Sequence, residues 1–377
     1  MVSSVLALFN LWDFYYYGLR PFDLVGFLFI TYYFFSRSNN KSISYNNFGF
    51  ILILFLITWV YIMVGILNTM DSGLYFGDFH TTSILILNIK SAIGFIMGLI
   101  VFTIFYYIKI EKIDLLKYLD FIILIHITSF FSQYFYYLFT GEILNPHYYT
   151  ENAYGATGLR SHGFGFFRPS GLFVESASYA FTMYMLICLR LSLQKRYNYK
   201  IILGFITTAL SFSLWGYITF LILLFIFKPK ARYIFIFSTL FFVLIIYFYN
   251  AFPILKILIF DRVSNFSSDL SFVNRYSTLY ETNPDISFYG SLFGRGIMPG
   301  GGSALFNLIN IFGIIGLTGI LIIINLINGK DNNIKFMLIL GLLITAASQL
   351  LTLFFFWAWL ALMIRANQKK QLSMVFG

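Results

Sequence analysis

Residues 47–67 read Asn-Phe-Gly-Phe-Ile-Leu-Ile-Leu-Phe-Leu-Ile-Thr-Trp-Val-Tyr-Ile-Met-Val-Gly-Ile-Leu, a run without one charged side chain. A helix of this length rises roughly 30 Å, the thickness of the hydrocarbon core of a bilayer. Similar apolar runs recur along the whole chain of 377 residues, of which 59% are hydrophobic and only 11% charged. Soluble proteins carry about a quarter charged residues. The sequence therefore predicts a polytopic membrane protein.

The apolar runs predict an all-α fold, a helical bundle of about 12 transmembrane helices that forms a single integral membrane domain over residues 1–377. The seventh and eighth runs are short and lie close together, which predicts a tight helical hairpin around Ser211 to Ser213. The predicted spans are 2–17, 22–36, 47–67, 83–108, 115–139, 171–192, 199–212, 214–228, 232–250, 304–327, 335–349 and 352–364.

Lysine and arginine assign the sides of the membrane, because cytoplasmic connectors carry most of the basic residues. Every second connector is basic, so both termini are predicted to lie in the cytoplasm. The net charge of +10 is then a topological signal, and no nucleic-acid partner is expected. The N-terminus shows no signal-peptide pattern, and the single Cys188 excludes an intrachain disulfide. The basic connectors are 37–46, 109–117, 190–200, 228–232, 328–335 and the C-terminal tail.

Two connectors on the predicted extracytoplasmic side are long, 140–170 and 251–303, and long connectors are typically functional. The basic residues in the outer connectors are nearly all arginines, whose planar guanidinium binds phosphate bidentately and keeps its charge. This set predicts a site for a lipid-linked pyrophosphate or another polyanion. Ion pairs with neighbouring carboxylates or phospholipid headgroups are the structural alternative. The set comprises Arg20, Arg160, Arg168, Lys256, Arg262, Arg275 and Arg295.

The segment Arg168-Pro169-Ser170-Gly171 leads from the first long loop into the predicted span 171–192. On a helix that includes Gly171, the residues Gly171, Glu175, Ser178 and Thr182 share one face. A carboxylate about one turn below the membrane surface is costly unless it is paired or functional. Glu175 is therefore predicted either to pair with Arg168 or to act as a base or hydrogen-bond acceptor for substrate.

Two further features have both a functional and a structural interpretation. Lys90 lies well inside a predicted span on the face of Gly94 and Gly98, a GxxxG pattern that permits close helix approach. It either reaches a phosphate or extends to the interface. Gly294-Arg295-Gly296 and the glycines after it either expose backbone N–H groups to an anion or form a turn before the tenth span.

Metal chemistry is not expected, and no cofactor is predicted. The histidines His80, His126, His147 and His162 lack metal-ligand spacing, and the outer loops contain no Asp-x-Asp pair. A site that uses Asp13, Asp71 and Asp78 is the weaker alternative.

These motifs resemble the O-antigen polymerase (Wzy) family, within the O-antigen polymerase and ligase superfamily of bacterial integral-membrane glycosyltransferases. The resemblance covers most of the chain and rests on the order of its motifs. They are Arg20-Pro21-Phe22-Asp23, Arg168-Pro169-Ser170-Gly171 with Glu175, the paired seventh and eighth spans, Arg275 with Gly294-Arg295-Gly296, and Phe312-Gly313-Ile314-Ile315-Gly316.

The resemblance implies a GT-C-like bundle in the bacterial cytoplasmic (inner) membrane with its active site on the extracytoplasmic face. The implied donor is an undecaprenyl-pyrophosphate-linked oligosaccharide, whose glycan chain passes to the non-reducing end of a lipid-linked repeat unit. A chain-length regulator protein is an implied partner besides the lipid bilayer. Arg168, Glu175 and Arg275 are the predicted catalytic residues, with Glu175 as the first candidate for the base and His162 as the second. The predicted substrate-binding residues are Arg295, Lys90, Arg160, His162 and Arg262.

Two alternatives belong to different classes. The first is an O-antigen ligase, but ligases usually carry a histidine just before the equivalent of the tenth span. Here that neighbourhood reads Gly301-Gly302-Ser303-Ala304, which favours a polymerase. The second is a flippase or transporter of lipid-linked oligosaccharides. Transporters commonly contain two related halves, and no repeat relates residues 1–190 to 191–377.

Overall fold

In a computed structural model of the chain, all regular structure among the described residues is α-helical. The five named helices are α1 Lys112–Thr140, α2 Ser176–Leu193, α3 Tyr199–Leu210, α4 Leu214–Phe227 and α5 Phe354–Asn367. Helices α1, α3, α4 and α5 match predicted spans to within about three residues. Helix α2 begins five residues after the predicted start at 171, and the count of twelve spans stays a prediction. The described residues are 98–106, 112–144, 168–173, 176–194, 196–211, 213–227, 292, 313–315, 317–318, 337–339, 341 and 354–367.

The chain divides into two compact units. The first comprises Met1–Val25 and Ile110–Asp269 and contains α1 to α4, whereas the second comprises Gly26–Lys109 and Leu270–Gly377 and contains α5. The single domain over residues 1–377 stays a prediction.

Among the helices that the structure describes, α1 and α2 are long and apolar enough to cross a membrane. They contain 29 and 18 residues, which correspond to lengths of about 43 and 27 Å at the usual helical rise. A hydrocarbon core is about 30 Å thick. Length and composition are therefore compatible with a membrane protein.

The core of the first unit is α2, in which every side chain from Tyr179 to Leu191 is buried. It contacts α1, α3 and α4. A helix that is apolar all round is expected at the centre of such a bundle. On α3, Gly204 brings the backbone close to α2, because a Cβ at that position would lie 2.9 Å from Met183 Cε.

Contacts near the helix ends define the helix directions. Asp120, early in α1, pairs with Arg190 at the end of α2. Phe130, late in α1, packs on Tyr179 early in α2, with ring centroids 4.9 Å apart. Helices α1 and α2 are therefore antiparallel, and the hydrogen bond from Tyr179 to Thr207 shows that α3 runs antiparallel to α2.

The first unit consequently has two distinct ends. The basic end contains the start of α1, the end of α2 and the start of α3. The loop end contains the end of α1, the start of α2 and the turn between α3 and α4. Described basic residues concentrate at the basic end, which carries Lys112, Lys117, Arg190, Arg196 and Lys200.

A buried ion pair ties three helices together at the basic end. Arg190 Nε donates to Asp120 Oδ1 at 2.7 Å, and the two side chains are only 6% and 17% exposed. Asn198 Nδ2 donates to Asp120 Oδ2 at 3.1 Å, while its Oδ1 accepts from Ile201 N at 3.0 Å and caps α3. The sequence predicts Arg190 in the connector 190–200, but it is buried in the last turn of α2. Burial also raises the pKa of Tyr197, which lies in this connector, to about 12.

In the second unit, α5 packs against the helical segment 98–106. Arg365 Nη1 donates to the Phe105 carbonyl at 2.8 Å. A Cβ on Gly98 would overlap the indole of Trp357. Gly98 therefore permits the close approach that the GxxxG pattern predicts, whereas Gly94 and Lys90 lie outside the described residues.

Replacement of Asp120 by alanine should destabilise the first unit strongly, because it leaves the buried Arg190 guanidinium without its carboxylate. Breaking one side of a buried ion pair costs about 3–5 kcal/mol. The matched control is Asp114→Ala in the first turn of the same helix, for which we expect a loss below about 1 kcal/mol. Unfolding of the purified protein in detergent measures both, and equal losses would contradict a stabilising role for the pair.

Candidate functional site

The turn formed by residues 168–173, here called the Arg168 turn, lies at the loop end. Arg168 is half-buried, and Pro169, Ser170, Gly171 and Phe173 are buried. Proline fixes the backbone φ directly after Arg168. Phe173 N donates to the Ser170 carbonyl at 3.1 Å, and Gly171 has φ +60°, a left-handed conformation that favours glycine.

The predicted helix start is wrong at Gly171. The sequence predicts a span from residue 171 with Gly171 on the face of Ser178 and Thr182, but α2 begins at Ser176. The left-handed φ places Gly171 in a turn, which cannot continue a right-handed helix. Glu175 lies outside the described residues.

A single buried amide binds the Arg168 turn. Gln133 of α1 is 2% exposed, and its Oε1 accepts from Ser170 N at 3.0 Å and from Gly171 N at 2.8 Å. Its Nε2 donates to the Leu144 carbonyl at 3.1 Å. Gln133 therefore occupies the backbone N–H groups of both Ser170 and Gly171, and Arg168 is the charged residue of this turn.

A layer of aromatic side chains packs against the Arg168 turn on the side of the bundle interior. The His126 ring is fully buried and stacks on Phe173 with centroids 5.2 Å apart. Tyr179 contacts His126 edge-on at 6.5 Å. A Cβ on Gly171 would lie 3.1 Å from Tyr179 Cδ2. The Arg168 turn therefore has little room to move toward the bundle interior.

Hydrogen bonds between buried hydroxyl groups connect this layer to the hairpin that α3 and α4 form. Tyr179 Oη donates to Thr207 Oγ1 at 2.7 Å, and Thr208 Oγ1 donates to the Gly204 carbonyl at 2.6 Å. The side chains of Tyr179, Thr207 and Thr208 are all buried. This hydrogen bonding lets hydroxyl groups occupy an apolar interior.

The turn of the hairpin satisfies its own polar groups. Ser211 ends α3 and its Oγ donates to the Thr208 carbonyl at 2.7 Å. Ser213 Oγ accepts from Gly216 N at 2.8 Å, as an N-cap of α4. A Cβ on Gly216 would overlap Ser211 Oγ. The predicted tight hairpin around Ser211 to Ser213 is therefore confirmed.

Of the eight predicted site residues, the structure describes only Arg168. Two polar residues at buried positions were missed. Gln133 and Asp120 stand in the apolar run 115–139, and a polar side chain within such a run is a signal of an internal contact. The predicted site residues that lie outside the described part of the chain are Lys90, Arg160, His162, Glu175, Arg262, Arg275 and Arg295.

Within the described ranges, no three side chains of His, Cys, Asp or Glu converge as metal ligands would. Comparison with protein-family models, with curated proteins and with solved structures finds no match for this chain. Its functional assignment therefore rests on its own residues.

A matched pair of buried threonines tests the hydroxyl cluster. Thr207 and Thr219 are both fully buried. The Thr207 hydroxyl is hydrogen-bonded, whereas the Thr219 hydroxyl has no hydrogen-bond partner among the described residues. Thr207→Val leaves the Tyr179 hydroxyl unsatisfied and should cost about 1–3 kcal/mol, whereas Thr219→Val should be near neutral or stabilising. Unfolding in detergent distinguishes them, and equal effects would show that the Tyr179–Thr207 bond contributes nothing.

Proposed function

We propose that the protein is a polysaccharide polymerase of the O-antigen or capsule type. It transfers a glycan chain from undecaprenyl pyrophosphate to the non-reducing end of a lipid-linked repeat unit. The observation that carries this proposal is the Arg168 turn, in which a half-buried guanidinium adjoins a rigid backbone at the end of the bundle opposite to its basic end.

The charge asymmetry of the first unit supports an extracytoplasmic site. Lysine and arginine concentrate on the cytoplasmic side of membrane proteins, and those that the structure describes in the first unit concentrate at the basic end. The loop end, with Arg168, then faces the outside of the cytoplasmic membrane. Both termini are assigned to the cytoplasm by the same rule.

Exposed side chains of α1 support contact with lipid. Phe121, Phe135 and Phe139 are 51%, 50% and 85% exposed. Large apolar side chains on an outer helix face fit a hydrocarbon environment, and aromatic residues are enriched at membrane interfaces. The last two lie near the loop end of α1, where an interface would be.

The proposed chemistry needs positive charge at the leaving group. When pyrophosphate leaves the anomeric carbon, negative charge develops on its oxygens, and preorganised cations in a poorly hydrated site stabilise it. Arg168, Arg275 and Arg295 take this role in the proposal, and Lys90, Arg160 and Arg262 are further contacts to substrate. Glu175, or else His162, accepts the proton of the acceptor hydroxyl.

Arg168→Ala or Arg275→Ala should abolish detectable chain growth, a loss of at least about 100-fold, because each removes a bidentate contact to the leaving group. The assay supplies lipid-linked repeat units to proteoliposomes and measures product length by gel electrophoresis. The control is Arg196→Ala, an exposed arginine at the basic end, which should retain normal activity. Near-normal polymer from both active-site variants would contradict the arginine mechanism.

An inventory of lipid-linked glycans in cells that lack the protein tests the function itself. We expect single repeat units to accumulate on the outer face, without polymer. Full-length polymer retained on undecaprenyl pyrophosphate would instead identify a ligase. Single units confined to the inner face would identify a flippase.

A further inference from the structure

We propose that Gln133 is a positioning residue, which holds Arg168 in place for the diphosphate of the lipid-linked donor. This inference rests on the proposed function. Gln133 is neither charged nor exposed, and its side chain is 2% accessible. It would act on substrate only through the backbone of the Arg168 turn.

The contacts of Gln133 join two distant parts of the chain. Its Oε1 accepts from Ser170 N and Gly171 N, which lie 37 and 38 residues further along the sequence. Its Nε2 donates to the Leu144 carbonyl, 11 residues away. Leu144 and Ser170 lie near the two ends of the predicted connector 140–170. One amide thus brings together the two ends of this connector.

The path from Gln133 to Arg168 is short and stiff. Only Pro169 separates Arg168 from the first bonded N–H group, and the pyrrolidine ring fixes φ at that position. On the other side, Gly171 packs against Tyr179, and Phe173 N closes the turn on the Ser170 carbonyl. A displacement of the Gln133 amide therefore moves the backbone of Arg168. Misplacement of a catalytic group by about 1 Å can cost roughly 100-fold in rate.

Two substitutions test the hydrogen bonds of Gln133 separately, and a third at the preceding residue serves as a control. Gln133→Met has a similar length and loses all three hydrogen bonds. Gln133→Glu keeps an acceptor for Ser170 N and Gly171 N but cannot donate to the Leu144 carbonyl when ionised. The neighbouring Ser132 is exposed on the same helix, so Ser132→Ala is the matched control.

The test is a double-mutant cycle on the affinity of the full-length protein for undecaprenyl pyrophosphate, measured in lipid nanodiscs by native mass spectrometry. We expect Arg168→Ala and Gln133→Met each to weaken binding by about 10-fold. The double variant should bind no more weakly than Arg168→Ala alone, because Gln133 acts through Arg168. Gln133→Glu should remain within about threefold of the wild type, and Ser132→Ala should bind as the wild type does.

A structural role independent of Arg168 predicts that the two losses multiply, and that result would overturn the inference. Unchanged affinity in Gln133→Met would overturn it as well. If Gln133→Met yields no folded protein, Gln133→Asn, whose shorter side chain cannot reach all three groups, takes its place in the cycle.

Binding and activity together distinguish failure of the inference from failure of the proposed function. A wild type that binds undecaprenyl pyrophosphate but grows no polymer would refute the polymerase proposal. In that case, a double variant that binds no more weakly than Arg168→Ala would still support Gln133 as the residue that positions Arg168. A wild type that does not bind undecaprenyl pyrophosphate would overturn both.

Discussion

The first unit depends on one constraint, namely that a polar group inside an apolar helix bundle must find its partner within the protein. Water can satisfy a polar group at a soluble surface, but neither a packed interior nor hydrocarbon can. Several polar side chains of α1, α2 and α3 meet this constraint through hydrogen bonds between helices. Asp120 meets Arg190 and Asn198 at one end, and Gln133 meets the Arg168 turn at the other. The apolar side chains of α2 fill the space between.

The two ends of the first unit satisfy their polar groups in different ways. At the basic end, the charge of the buried Arg190 is neutralised by the Asp120 carboxylate, which also accepts a hydrogen bond from Asn198. At the loop end, neutral amides and hydroxyls satisfy the backbone, so the positive charge of Arg168 adds to a framework that is already hydrogen-bonded. The first arrangement joins α1, α2 and the start of α3, and the second fixes the turn that contains Arg168.

Hydropathy was sufficient to predict the helices and insufficient to predict their contacts. The runs 115–139, 199–212 and 214–228 correspond to α1, α3 and α4 because apolar length follows directly from composition. Gln133 and Ser170 are 37 residues apart, and Asp120 and Asn198 are 78 apart, so no local pattern pairs them. The spacing of small and polar residues predicts Gly171 in a helix, because such spacing carries no information about a positive φ. The arginine set can be selected by residue type and predicted side of the membrane, but whether its members converge depends on tertiary structure.

The shortness of the α3–α4 hairpin has a consequence for its depth. α3 contains 12 residues, about 18 Å of helix, which is well short of a hydrocarbon core of about 30 Å. If the first unit lies in a bilayer, the hairpin therefore turns around inside the hydrocarbon core and does not reach its far side. Such a re-entrant segment is tolerated only where protein shields its exposed backbone. Ser211, Ser213 and Thr208 make side-chain hydrogen bonds to the backbone near the turn, and they thereby satisfy polar groups that hydrocarbon could not. Among the described helices, α1 and α2 are the ones long enough and apolar enough to cross such a core.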